Sequence, residues 1–521
     1  MTPDTQPTFP RTLIVSLLVA GLYVGIHYIP YRSIYVILND DYHNVIPVIN
    51  VLAEPRLYSS STLVRILKEI HLTSSPFYYF GLAYPLAQFL HASTVMKLLG
   101  FVACLWLFYF AGFRWRNPGD VVRAFFLLLI ALHATPFSIM EGNRRSFRAV
   151  FYVGLLWSEE RNSFTSYLIL LAAATGIYPP AAVVLLGYRW VDHGLQSYRN
   201  GTKITDGLLK PFLSLGVFTL CFSPYLWSKL AFEVEFTNSI SKLNYSWISF
   251  REGFEYFVYG NGNSQFITAS VTLSLLGLLC LGQILLLGLN DIRIRQFFPS
   301  LILTCVLLWG SAHLTYPLLY QPSRYALPVF LIVAGIFFLD NLTRLLKYFR
   351  NLDAEVAGTA GGIVAIILFG SLYYPHCLTD CTQPYRNSQF KELYRTVERT
   401  PANTAVVGPP QWMDSVLAFG KRRTFFNLEL SDIPMVCSRI RRFTRSYFSS
   451  DAKDMLNFMQ TRDLDLLLVD RHVFEGHWYT SCGLNINQFE SPALNRTYDQ
   501  SLWNWKDKLF LLTRKQLRKQ T

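Results

Sequence analysis

The chain has little charge for its length. Only 16% of its 521 residues are Asp, Glu, Lys or Arg, against about 25% in a soluble globular chain. With 51% hydrophobic residues and a mean hydropathy of +0.26, this deficit excludes an ordinary soluble protein. It points instead to a polytopic membrane protein. The first apolar run, residues 13–29, lacks a small-residue cleavage site and reads as a retained first helix, not a signal peptide. The formal net charge of +13 would suit nucleic acid. Many of these Arg and Lys residues lie in short loops between apolar runs, where they set topology, so no nucleic-acid partner is expected.

What is present is a series of apolar segments. A helix needs roughly 20 apolar residues to span a bilayer, and fewer where it is broken or shielded by protein. About eleven spans are expected by that measure. They are residues 13–29, 95–113, 121–139, 147–157, 164–177, 181–190, 211–227, 266–289, 297–314, 325–339 and 356–374. Pro179-Pro180 interrupts the fifth and sixth, because proline lacks an N–H and clashes with the preceding turn.

Basic loops set the orientation. Arg114, Arg116 and Arg123 flank one connection, and Arg189, Arg199, Lys203 and Lys210 another. Arg293 and Arg295, then Arg344, Lys347 and Arg350, mark two more. If these loops are cytoplasmic, the N-terminus is cytoplasmic too. A first outer loop at about 30–94 and everything after residue 374 then share the non-cytoplasmic face. Within that loop, residues 62–72 carry apolar groups at helical spacing, as expected of an amphipathic helix on the surface.

The expected domains are a transmembrane unit, 1–374, and a soluble tail, 375–521. In the tail, 389–398 and 451–459 read as helices, and 405–407 and 464–469 as short buried strands. The fold class is therefore an α-helical membrane protein with a C-terminal soluble α/β domain on the non-cytoplasmic side. The tail lacks the Rossmann and P-loop glycine patterns, so no nucleotide is expected there. Cys104, Cys221, Cys280 and Cys305 fall in spans and read as packing. Cys377, Cys381, Cys437 and Cys482 fall in the tail, where an oxidising compartment favours disulfides over a zinc site.

Four polar constellations share the outer face. Asp40-Asp41, followed by Tyr42, His43 and Asn44, lies just beyond the first span. A carboxylate beside a low-dielectric wall can have its pKa raised and act as a general base. Paired carboxylates also suit a divalent cation, and Asp40 and Asp41 would be its ligands. The second is Glu141-Gly142-Asn143-Arg144-Arg145-Ser146-Phe147-Arg148. Arginines at an outer helix end oppose the positive-inside rule, and guanidinium forks suit phosphate. Snorkelling to lipid headgroups is the plainer reading of the same residues. Arg324, in Gln321-Pro322-Ser323-Arg324-Tyr325, repeats the pattern, with Tyr325 suited to the interface. Tyr178-Pro179-Pro180 marks a broken helix of the kind that lines cavities.

Taken together, these residues resemble the membrane-embedded glycosyltransferases of the C superfamily (GT-C), which use lipid-phosphate-linked sugars. The resemblance rests on the acidic pair after the first span, the surface helix in that loop, the many spans and the outer soluble tail. Arg144-Arg145-Ser146-Phe147 with Tyr178-Pro179-Pro180, and Gln321-Pro322-Ser323-Arg324-Tyr325, look like motifs of bacterial members. The tail departs from oligosaccharyltransferases in lacking a clear Trp-Trp-Asp-type motif, which argues against en bloc glycan transfer. The resemblance implies a polyprenyl-phosphate sugar donor, a glycan, lipid or protein acceptor, and an enzyme in the plasma membrane. Asp41, with Asp40, would be the base. Arg144, Arg145, Arg148 and Arg324 would hold the leaving phosphate, and His43, Glu141, Tyr178 and Tyr325 would support them. Direct attack by the acceptor implies inversion at the anomeric carbon. The rival is a transporter or flippase, which would place ionisable groups near span centres. Only His133 and His313 lie in or near spans in that way.

Overall fold

The computed structural model describes residues 33–35, 42–58, 61–112, 142–240, 292–314, 390–427, 434–449, 451–470 and 509–520, and a few isolated positions besides. Helix α1 (Tyr42–Ala53) begins one residue after the acidic pair. Helix α2 (Thr62–Ser74) is the expected amphipathic helix, two residues longer. The Ser61 hydroxyl accepts from the Val64 N–H at 3.3 Å and caps its start. Leu63, Val64, Leu67 and His71 are buried on one face while Arg65 and Lys68 are exposed. A π-helical segment, Phe77–Ala83, leads through one α-turn, Tyr84–Ala87, to α3 (Ala92–Gly112). Among the described residues, only the Ala92–Phe110 stretch is long and apolar enough to cross a membrane by itself.

Helices α4 (Arg148–Glu160), α5 (Phe164–Ile177) and α6 (Pro179–Asn200) pack in sequence. Then come α7 (Leu209–Ile240) and α8 (Ile292–Leu314), both against α6. The break expected at the prolines is present: α5 ends before Tyr178, and Pro179-Pro180 opens α6, where a missing N–H costs nothing. Helix α6 runs ten residues past the expected span and ends at Gly201 in the left-handed region, φ +64°. Shorter apolar stretches lie at Phe164–Ile177, Leu209–Pro224 and Pro299–Leu308. The expected spans at 121–139, 266–289 and 325–339 lie outside the described residues, as do most of 13–29 and 356–374.

Buried polar groups pin this bundle where α4 ends. Arg189 donates to the Glu159 carboxylate at 2.6 Å, and its guanidinium lies 4.4 Å from the Tyr167 ring centre. Ser300 on α8 donates to Asp192 on α6 at 2.9 Å. The contacts tie α4, α5, α6 and α8 together. Cys104 and Cys305 are buried thiols in helices, as expected of packing residues.

The tail folds as an α/β unit. Its elements are α9 (Lys391–Glu398), β1 (Ala405–Val407), α10 (Pro410–Phe419), β2 (Arg423–Thr424), α11 (Pro434–Tyr447), α12 (Ala452–Thr461), β3 (Leu466–Asp470), β4 (Leu509–Thr513) and α13 (Arg514–Gln520). The strand order is β2-β1-β3-β4. Strand β1 is parallel to β2 and β3, and β4 is antiparallel to β3. Strand β3 is buried along its whole length, which explains its unbroken Leu-Leu-Leu-Val run. Cys437 lies on α11, and Cys377, Cys381 and Cys482 lie outside the described residues.

Candidate functional site

The arginine turn is built from local rules. Asn143 sits in extended backbone, and its side-chain oxygen accepts from the N–H groups of Arg145 at 2.8 Å and Ser146 at 3.1 Å. That cap starts a 3₁₀ turn, Arg144–Phe147, which passes directly into α4. A 3₁₀ turn repeats every three residues, so Arg145 and Arg148 fall on one side, as the sequence spacing suggests. Arg148 is buried, whereas Arg144 and Arg145 are half-buried.

Gly142 precedes the cap at φ +63°. A β-carbon there would lie 1.5 Å from the carbonyl oxygen of Met96 on α3, so only glycine fits. The carbonyl of Gly142 accepts from the buried Tyr78 hydroxyl at 2.7 Å. The turn is thus clipped between α3 and the π-helical segment. Gly176, two residues before Tyr178, abuts the Phe77 ring of the same segment. Tyr178 itself is buried.

The Arg144 guanidinium donates to the hydroxyls of Ser74 at 2.5 Å and Ser75 at 3.3 Å, at the carbonyl end of α2. Among the described residues no carboxylate pairs with it. One turn back, His71 is buried, with its Nδ1 2.8 Å from the Tyr79 hydroxyl. Burial first, and then the positive charges of Arg144 and Arg145, hold the His71 imidazole well below its ordinary pKa. It is therefore a neutral polar group at neutral pH, and the local field is positive.

Helix α1 packs against α2 and α3, the two helices that hold the arginine turn. The chain that follows Asp40-Asp41 and the Arg144–Arg148 turn therefore belong to one packed layer. Tyr42 and His43 open α1. Asp40, Asp41, Glu141, Arg324 and Tyr325 lie outside the described residues. Sequence reading missed Ser74, Ser75, His71, Tyr78 and Tyr79, all about 70 residues from the arginines. Only the Ser-Ser pair closing an amphipathic helix gave a local signal. Among the described residues no three His, Cys, Asp or Glu side chains gather to hold a metal.

No family model matches the chain, and no curated protein matches it. Among solved structures it is similar to the archaeal oligosaccharyltransferase AglB from Archaeoglobus fulgidus, in complex with an inhibitory peptide and a dolichol-phosphate. The identity is 11% and the TM-score 0.48, over 89% of this chain and 69% of that one. The apo form of the oligosaccharyltransferase from the same organism matches at 10% identity and a TM-score of 0.47, over 91% of this chain and 71% of that one. At TM-scores below 0.5 these likenesses carry no functional weight, which falls on the residues of the chain itself.

Proposed function

We propose that the chain is a GT-C-type glycosyltransferase, moving a sugar from a polyprenyl-phosphate donor to an acceptor hydroxyl with inversion. The carrying observation is Arg144. Its charge is held by two neutral hydroxyls beside Arg145 and Arg148, in the layer that contains the helix following Asp40-Asp41. Fixed cations aimed at a leaving phosphate stabilise the charge that grows on it as the glycosidic bond breaks. Asp41, with Asp40, would take the proton from the acceptor hydroxyl as it attacks the anomeric carbon from the opposite side. Arg324 would complete the phosphate clamp, with Glu141, His43, Tyr178 and Tyr325 in support. If a divalent cation takes part, its ligands would be Asp40 and Asp41.

In this reading the first 374 residues form about eleven spans. The N-terminus is cytoplasmic, and the tail from residue 375 lies outside the plasma membrane. Several described helices carry apolar side chains outward, as lipid contact requires. Leu220 is 75% exposed and Ile169 is 65% exposed.

The test is transfer from undecaprenyl-phosphate monosaccharides by purified Asp40→Asn and Asp41→Asn variants in lipid nanodiscs. At least one variant should lose transfer while remaining folded. Full activity in the double variant would overturn the catalytic assignment.

A further inference from the structure

The last carbonyls of any α-helix lack partners within the helix. In α10 of the tail, two of them find partners in the first loop. The Tyr58 hydroxyl donates to the Leu417 carbonyl at 2.6 Å, and the Asn50 side-chain amide donates to the Ala418 carbonyl at 3.1 Å. Asn50 lies on α1, and Tyr58 lies on the turn that follows it. Both are buried. Burial raises the Tyr58 phenol well above its ordinary pKa, so it stays a donor. Tyr58 also holds φ +57°, a backbone region that a tyrosine adopts at a cost. Such strain persists where the surroundings fix it.

Aromatic rings flank these bonds. Tyr35 stacks on Tyr394 of α9 at 5.8 Å between ring centres and meets the edge of Phe419 at 5.8 Å. Beside it, Arg422 donates to the Glu398 carbonyl at the end of α9 and to the Thr400 carbonyl just past it, the latter at 3.0 Å. Helix α10 packs along α1, and α1 packs on α2 and α3. Helix α1 is therefore held between the tail and the helices that carry the arginine turn. Asp41 is joined to its first residue by one peptide bond.

We infer that the tail is a positioning element of the transfer site, with Tyr58 and Asn50 as the positioning residues that lock α1, the helix whose sequence directly follows the acidic pair. This rests on the catalytic reading of Asp40-Asp41. A misplacement of about 1 Å can cost on the order of a hundredfold in rate, so a helix held from both sides has a direct catalytic consequence. The tail need not touch the sugar to govern its transfer.

The test uses the full chain in lipid nanodiscs with Tyr58→Phe, which removes only the hydroxyl, and with Tyr58→Phe combined with Asn50→Leu. Amide hydrogen exchange is followed in residues 42–53 and in the tail strands 405–407 and 466–470. The double variant should exchange through α1 about tenfold faster or more, because two buried hydrogen bonds are lost. The strands should stay protected. Turnover of an undecaprenyl-phosphate monosaccharide should fall while its KM holds, with Tyr58→Phe intermediate. Unchanged protection of α1 in the double variant, with the strands intact, overturns the inference. So does faster exchange in α1 with unchanged turnover. If the double variant fails to fold, the same two readings on Tyr58→Phe alone decide it. Full activity of the Asp40→Asn, Asp41→Asn double variant would instead sink the catalytic reading, and the exchange result would still report whether the tail holds α1.

Discussion

Arg144 and Arg189 stand near opposite ends of α4, a helix about 20 Å long, and their surroundings differ. Arg189 meets the Glu159 carboxylate at 2.6 Å and lies over the Tyr167 ring, so its charge is matched where it sits. Among the described residues, Arg144 meets the hydroxyls of Ser74 and Ser75 and no carboxylate. Hydroxyl dipoles orient a guanidinium without cancelling its charge. The first arrangement fastens helices together. In the proposed function, the second keeps a positive charge in place for the donor's phosphate. On that reading the same residue type serves structure at one end and chemistry at the other, and the partner decides which.

Three substitutions, in order of expected size, and one change of condition sharpen this contrast. Glu159→Leu should cost about 4 kcal/mol, because Arg189, whose side chain is only 13% exposed, is left without its carboxylate. Thermal unfolding in nanodiscs would show it, and an unchanged midpoint would break the structural half of the comparison. Gly142→Ala should cost about 3 kcal/mol, since its β-carbon would meet the Met96 carbonyl at 1.5 Å and its φ is positive. Transfer should vanish while the tail strands stay protected from hydrogen exchange. Arg144→Ala should lower turnover about a hundredfold and shift the unfolding midpoint far less than Glu159→Leu does. A midpoint loss as large, with turnover intact, would make Arg144 a structural residue like Arg189.

The condition is acid. His71 is held neutral well below its ordinary pKa by burial and the arginines. His91 is lowered to about 4, first by burial and then by the Lys421 charge, and its Nδ1 accepts the Ser93 N–H at 3.2 Å. In the unfolded chain both take protons near pH 6.5, and in the folded chain they do not. The stability they contribute is therefore complete above about pH 6.5 and falls as pH drops towards 4, by about 1.4 kcal/mol per pH unit for each histidine. Chemical unfolding followed from pH 7 to 5 should show this slope, and His91→Gln should reduce it. A flat profile would mean that neither imidazole is buried neutral.

Local periodicity made much of the fold legible. Helix α2 and strands β1 and β3 lie within two residues of where the sequence puts them, because each shows its own period or an unbroken buried run. Helix α11 was not legible: its Arg-Ile-Arg-Arg-Phe-Thr-Arg stretch is too polar to announce a core element, although Ile440 and Phe443 are buried at helical spacing. Strand β4 was missed because its partner, β3, lies about 40 residues away. At the candidate site, the Arg144–Arg148 turn was visible from its residue types. Its holders were not, since Ser74, Ser75 and Tyr78 reach it only through tertiary folding.

The glycine clip also works as a depth gauge. Gly142 can seat only against Met96, four residues into α3, or about 6 Å along its axis. Among the described residues, α3 is the segment best suited to fix its own height in a bilayer. Whatever level the lipids impose on that helix is handed on to the arginines. In the proposed function, their charge is thereby held at one height relative to α3.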